Sequence, residues 1–89
     1  MPRVHFTRNL QIHVQLPSAD APGETLREAI DAVLTPGSAG RGYVLDDQGA
    51  LRKHMIIFLD GQAIRDRKQL SDPVRPDSEI YVMQALSGG

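Results

Sequence analysis

The chain contains no cysteine. That one absence removes disulfides, thiol catalysis and Cys-based zinc sites together, and it fits a reducing compartment. A long apolar run is missing too: no stretch approaches the roughly 20 residues a membrane span requires. The start, Met1-Pro2-Arg3-Val4-His5, lacks the apolar region of a secretory signal. Charge of one sign is not concentrated anywhere. Ten basic and eleven acidic residues are spread along 89 positions for a net charge of −1. A phosphate-binding surface would call for clustered Lys and Arg, so nucleic acid is not an expected partner. These absences lead to the expectation of a cytoplasmic protein that meets neither membrane nor nucleic acid. At this length one domain is expected, with a core that must be economical.

What is present is patterned. Val4 and Phe6 alternate with His5 and Thr7, and Leu10, Ile12, Val14 and Leu16 alternate with Gln11, His13 and Gln15. Period two over both stretches predicts a β-hairpin turning near Arg8-Asn9. Both apolar sets share one face if opposed residue numbers have an even sum. A sum of 18 leaves a short turn and sets His5 opposite His13. Pro17 to Gly23 reads as a loop. Thr25-Leu26-Arg27-Glu28 is a capping box, and Leu26, Ala29, Ile30, Val33 and Leu34 form the apolar stripe of one helix face, ended by Pro36-Gly37.

Residues 37–42 read as a flexible Gly-rich hinge. Tyr43 to Leu45 and Ala50 to Arg52 read as two short strands about the Asp46-Asp47-Gln48-Gly49 turn. His54 to Leu59 predicts a strand ending at Asp60-Gly61, with Met55, Ile57 and Leu59 on one face and Ile56 and Phe58 on the other. Ile64 and Leu70 are expected to anchor the irregular stretch that follows. Pro76-Asp77-Ser78 is a further turn. Glu79 to Leu86 predicts the last strand, with Ile80 and Val82 opposite Tyr81 and Met83. One amphipathic helix can cover one face of one sheet, so the elements assemble as a two-layer α+β domain.

Candidate chemistry is sparse. His5 and His13 could share a zinc or copper ion, but no third ligand is in view, and a solvated strand face is the better reading. His54 reads as a strand-start residue. Gly37, Gly40 and Gly42 lack the strand-before, helix-after context of a phosphate loop. The Asp46 to Gly49 segment lacks the downstream Glu of a calcium loop and reads as a turn. The serines sit in no nucleophile elbow. No catalytic set emerges and no metal site is expected, so the chain is not expected to be an enzyme.

The chain ends in Ala85-Leu86-Ser87-Gly88-Gly89 directly after an apolar strand. With the element order, this resembles the ubiquitin-like β-grasp family that holds ubiquitin, the small subunit of molybdopterin synthase and the thiamine-pathway sulfur carrier. The stretch Leu45 to Arg52 followed by Ile56 to Gly61 is most similar to the bacterial sulfur carriers, and Ile57-Phe58 through Leu70-Ser71-Asp72 is similar to ubiquitin. Gln84 and Ser87 differ from the Pro or small apolar residues that sulfur carriers usually place there. The resemblance implies a mixed sheet of four to five strands on one main helix, with a β-grasp domain over 1–85 and a flexible tail over 86–89.

It also implies that the Gly89 carboxylate is adenylated by a ubiquitin-activating-type enzyme and converted to a thiocarboxylate, with Ser87 and Gly88 as the presenting tail. ATP is then used by that partner, and this chain binds no cofactor. The sulfur goes to a second, biosynthetic partner. Alternatives within and beyond the family are a protein tag joined to Lys through Gly89, and a β-grasp interaction module with an incidental tail. Phe58, Tyr81 and Met83, expected on the sheet face away from the helix, are the candidate partner-docking patch.

Overall fold

A computed structural model describes residues 1–7 and 18–84. Five strands form one mixed sheet: β1 (Arg3–Phe6), β2 (Ala19–Asp20), β3 (Met55–Leu59), β4 (Gln62–Ala63) and β5 (Glu79–Gln84), in the order β2-β1-β5-β3-β4. β5 is central. It pairs in parallel with β1, Val4 against Ile80 and Phe6 against Val82, and antiparallel with β3, Ile57 against Val82 and Met55 against Gln84. Two helices, α1 (Leu26–Val33) and α2 (Ala39–Val44), complete the described architecture.

Alternation decides what the sheet buries. Val4, Phe6, Met55, Ile57, Ile80 and Val82 all point to one face and pack with Leu26, Ala29 and Ile30 of α1. Leu34, Val44, Leu45, Leu51, Leu70 and Val74 close the rim of this core. Ile64 packs against it from outside, and Leu70 is fully buried, so both act as the anchors the sequence suggests.

The first turn of α1 has its orphan N–H groups met one by one. Thr25 Oγ1 accepts from the Glu28 N–H (3.3 Å), Asp72 O from the Leu26 N–H (2.8 Å) and Leu70 O from the Arg27 N–H (2.8 Å). Glu28 reaches back one residue further than a standard capping box: its Oε1 accepts from the Glu24 N–H at 2.7 Å. The Arg27 guanidinium then ties the helix to two loops, donating to Gly49 O (2.6 Å), Gln69 O (3.1 Å) and Lys68 O (3.3 Å). β3 turns into β4 through Asp60 (φ 50°) and Gly61 (φ 87°), so Leu59 pairs directly with Gln62. Positive φ at both central residues is the hairpin turn that matches strand twist, which is why an Asp-Gly pair stands there.

Three expectations are corrected. The outer neighbour of β1 is Ala19–Asp20, within the stretch read as a loop, and the pairs Arg3–Asp20 and Val4–Ala19 sum to 23, not 18. An Arg3–Asp20 ion pair (3.1 Å), the Ala21 N–H donated to Pro2 O (2.8 Å) and burial of Ala21 fix that register. The expected hairpin strand over 10–16, its turn and His13 lie outside the described residues. Second, residues 39–44 are helical rather than a hinge followed by a strand. Ser38 caps them, accepting from the Arg41 N–H (3.3 Å), and the Arg41 guanidinium donates to Leu34 O and to Asp31, both at 2.8 Å. Third, the strand pair about Asp46 to Gly49 reduces to a single bridge between Leu45 and Leu51. Asp46 Oδ1 shapes that turn by accepting from the N–H groups of Gln48 (2.9 Å) and Ala50 (3.0 Å).

Candidate functional site

The face of the sheet turned away from α1 is built in rows set by the strand registers. One row runs His5, Tyr81, Phe58, Ala63 across β1, β5, β3 and β4, and the next sets Met83 opposite Ile56. Phe58 and Tyr81 are thus directly opposed, and Met83 lies two residues further along the same face of β5. Tyr81 is 41% exposed, the highest of any large apolar side chain among the described residues after Met1, while Phe58, Met83 and Ile56 are half-buried. The three residues singled out from alternation therefore share one outward surface.

Two members of this surface escaped the sequence reading. Ile56 was placed on the Phe58 face but not in the patch. His5, read as part of a solvated strand face, stacks its ring on Tyr81 (centroids 4.6 Å apart, 18° between planes). Nε2 of His5 lies 3.0 Å from Glu79 Oε1, and the Ser18 hydroxyl is 3.3 Å from Nδ1. With its polar atoms so engaged, His5 is a wall of the patch. Among the described residues, no group of three or more His, Cys, Asp or Glu could hold a metal ion.

The end of the sheet where β5 begins is locked by a carboxylate. Asp60 Oδ1 accepts from the Glu79 N–H (2.9 Å) and Oδ2 from the buried Ser78 hydroxyl (2.9 Å), with the Arg75 guanidinium 3.7 Å away. The Glu79 N–H is the main reason that this carboxyl lies below its ordinary value; Ser78 and Arg75 add to it against slight burial. In the crossover before β5, Asp66 accepts from the N–H groups of Gln69 (2.9 Å) and Lys68 (3.1 Å) and from the Ser71 hydroxyl (2.6 Å). These bonds, led by Gln69, pull it down to about 2. Both carboxylates are stabilised by local backbone donors and organise turns.

The opposite end of β5 is Gln84, the last described residue before the tail in sequence. Gln84 is paired with Met55, the first residue of β3, and Thr7 donates its N–H to Val82 O (3.1 Å) from the other side. The central strand is thus held on both flanks almost to its end. Ser87, Gly88 and Gly89, and the expected boundary between 85 and 86, lie outside the described residues.

No protein-family model matches the chain, and no curated protein sequence matches it. Solved structures do. A chain of the BexX/CysO complex from Amycolatopsis orientalis is 23% identical, with a TM-score of 0.76 and 100% of both chains covered. The fold is the ubiquitin-like β-grasp. CysO from Mycobacterium tuberculosis shares this β-grasp at 19% identity and a TM-score of 0.77, over 97% of this chain and 100% of its own. The small archaeal modifier protein 1 from Methanosarcina acetivorans does so at 20% identity and 0.77, over 99% and 95%. At these identities the likeness is one of β-grasp architecture. Among the described residues, no helix is long and apolar enough to cross a membrane.

Proposed function

We propose that this chain is a carrier whose Gly89 carboxylate is activated and charged with sulfur by another protein. The observation that carries the reading is the position of β5. It is the central strand of a β-grasp body, paired with β1 as far as Val82 and with β3 up to Gln84, and Ala85-Leu86-Ser87-Gly88-Gly89 follows it in sequence. The five residues Ala85 to Gly89 can span at most roughly 17 Å, enough to enter another protein's site while the sheet stays outside. Glycine has no Cβ, so the last two residues can pass close to ATP and catalytic groups.

The chemistry follows from the carboxylate's poor electrophilicity. One Gly89 carboxylate oxygen attacks the α-phosphorus of ATP, pyrophosphate leaves, and an acyl-adenylate forms. Sulfide (HS−) supplied in the partner's site then attacks the carbonyl carbon and displaces AMP, which keeps that oxygen; loss of the sulfur-bound proton leaves a thiocarboxylate on Gly89. ATP and the reacting machinery belong to a ubiquitin-activating-type enzyme, and a second, biosynthetic protein accepts the sulfur. This chain contributes the carboxylate, the Ser87-Gly88 tail and a docking face made by Phe58, Tyr81 and Met83 with Ile56 beside them. Docking on that face offsets the entropy lost when the glycines are ordered. That partners meet β-grasp proteins is in keeping with the neighbour solved in complex with BexX.

The test is ATP–pyrophosphate exchange catalysed by the adenylating enzyme of the same cell. The intact chain is expected to support exchange, and deletion of Gly89 to abolish it with thermal stability unchanged. A truncated chain that supports exchange equally well overturns the proposal. A second reading, a protein tag joined to lysine through Gly89, is favoured by the neighbour named a modifier protein. It uses the same adenylate and parts from the carrier only at the acceptor, where a branched peptide bearing Ser87-Gly88-Gly89 on a foreign lysine would mark it.

A further inference from the structure

The two ends of the sheet differ in how their charges are compensated. At the end where β5 starts, Arg3 pairs with Asp20 (3.1 Å), and Arg75 lies near Asp60 (3.7 Å) and Asp77 (3.8 Å). At the end where β5 leaves, the turn before β3 carries Arg52, Lys53 and His54. Neither Arg52 nor Lys53 has a side-chain carboxylate within ion-pair distance among the described residues, which include every Asp and Glu of the sequence. The Arg52 Nε–H is donated to Gly42 O (2.8 Å), and the His54 ring meets Tyr43 edge-on at 5.8 Å, so the turn is held in place. Lys53 is exposed, and among the described residues its side chain is in no ion pair.

The pairing of Met55 with Gln84 puts this turn immediately beside the root of the tail. Arg52, Lys53 and His54 line an open depression of about 350 Å³ with Leu51 and Asp46. The Asp46 carboxylate is engaged by the Gln48 and Ala50 N–H groups at 2.9 and 3.0 Å.

The geometry points to a second contact with the adenylating partner: the Arg52–Lys53 turn docks against acidic side chains that rim the mouth of the channel taking the tail. This rests on the carrier reading and adds what that reading lacks, the chemistry of the partner at the tail's root. An apolar face alone can slide. Positive charge that is in no ion pair, beside the strand end from which the sequence continues into the tail, steers encounter and sets the direction in which the chain approaches, and its effect is screened by salt.

The experiment is the same exchange assay, run with Lys53→Glu at low and high ionic strength. At about 50 mM salt, kcat/KM is expected to fall about fivefold with kcat unchanged; at about 0.5 M salt the gap should shrink below about twofold, as screening predicts. Arg75→Glu carries the same change of charge at the far end of β5, six residues or about 20 Å away and beyond the roughly 10 Å screening length. It should leave kcat/KM within about twofold. If Lys53→Glu has no effect, has the same effect at both salt concentrations, or is matched by Arg75→Glu, the inference is wrong while the carrier reading stands. If the chain lacking Gly89 is as active as the intact one, the carrier reading itself is wrong.

Discussion

Adjacent residues on β3 separate the two jobs of the sheet. Ile57 is fully buried against Val82 under α1, while Phe58, the next residue, lies on the outward face opposite Tyr81. Ile57→Ala removes buried methyl groups from a core that cannot fully collapse, and should cost about 3 kcal/mol. Phe58→Ala gives up partial burial and one aromatic cross-strand pair, about 1 kcal/mol together. For a domain of this size each kcal/mol moves the melting temperature by about 4–8 °C. Thermal unfolding followed by circular dichroism should therefore show Ile57→Ala losing about 12–24 °C and Phe58→Ala about 4–8 °C. Exchange with the adenylating enzyme, measured well below either melting point, should reverse the order. Loss of a central aromatic anchor raises KM tenfold or more, and Ile57→Ala leaves KM within about twofold. Equal destabilisation by the two variants would mean that Phe58 is a core residue. An unchanged KM for Phe58→Ala would mean that the outward face is not where the partner sits.

Arg27→Ala should destabilise the fold by about 2 kcal/mol in urea unfolding, because the carbonyls of Gly49, Lys68 and Gln69 lose a shared charged donor; Arg27→Lys, with one compact ammonium in place of the fork, should recover only part of that. Asp66 gives the pH dependence. Its folded value of about 2 lies below the ordinary 3.8 of an aspartate, so the unfolded chain takes up the proton first. The contribution of Asp66 is then complete above about 3.8 and is lost as pH falls toward 2. Acid unfolding of Asp66→Asn should show a shallower loss of stability across that window, and a wild-type slope in the variant would contradict the assignment.

The parts of the fold that could be read from sequence are those whose signal is local and repeated. α1 carries a five-residue apolar stripe behind a capping box, and β3 and β5 alternate strictly, so which side chains face outward at Phe58, Tyr81 and Met83 followed from period two alone. β2 and β4 are two residues each, too short for any period to register. α2 contains two glycines, Tyr43 and Val44, a composition that argues against a helix; its main supports, the Ser38 cap and the Arg41 bonds to Asp31 and Leu34, are partly tertiary. The stacking of His5 on Tyr81 depends on β1 lying parallel to β5, a pairing of residues 76 apart that no local pattern encodes. Here the alternation rule was right about faces and wrong about neighbours: an even-sum hairpin register assumed that residues 10–16 flank β1 along its length, whereas Arg3 and Val4 take Asp20 and Ala19.

The uncompensated turn at Arg52 and Lys53 was legible as composition but not as a site. Only the pairing of Met55 with Gln84 brings it to the root of the tail. The same registers explain how a small domain separates its roles. One face of the central strand is buried in the core, and the other carries the outward row of His5, Tyr81 and Phe58 that the proposal gives to a partner.

The most direct measurement is the intact mass of this protein isolated from its own cell, with fragmentation to read the last residues. The account predicts a chain ending at Gly89, part of it heavier by the difference between one sulfur and one oxygen, with the increment confined to the terminal glycine. A mature chain that continues past Gly89, or one ending there that never carries sulfur or an acyl linkage even when the acceptor pathway is active, would contradict it.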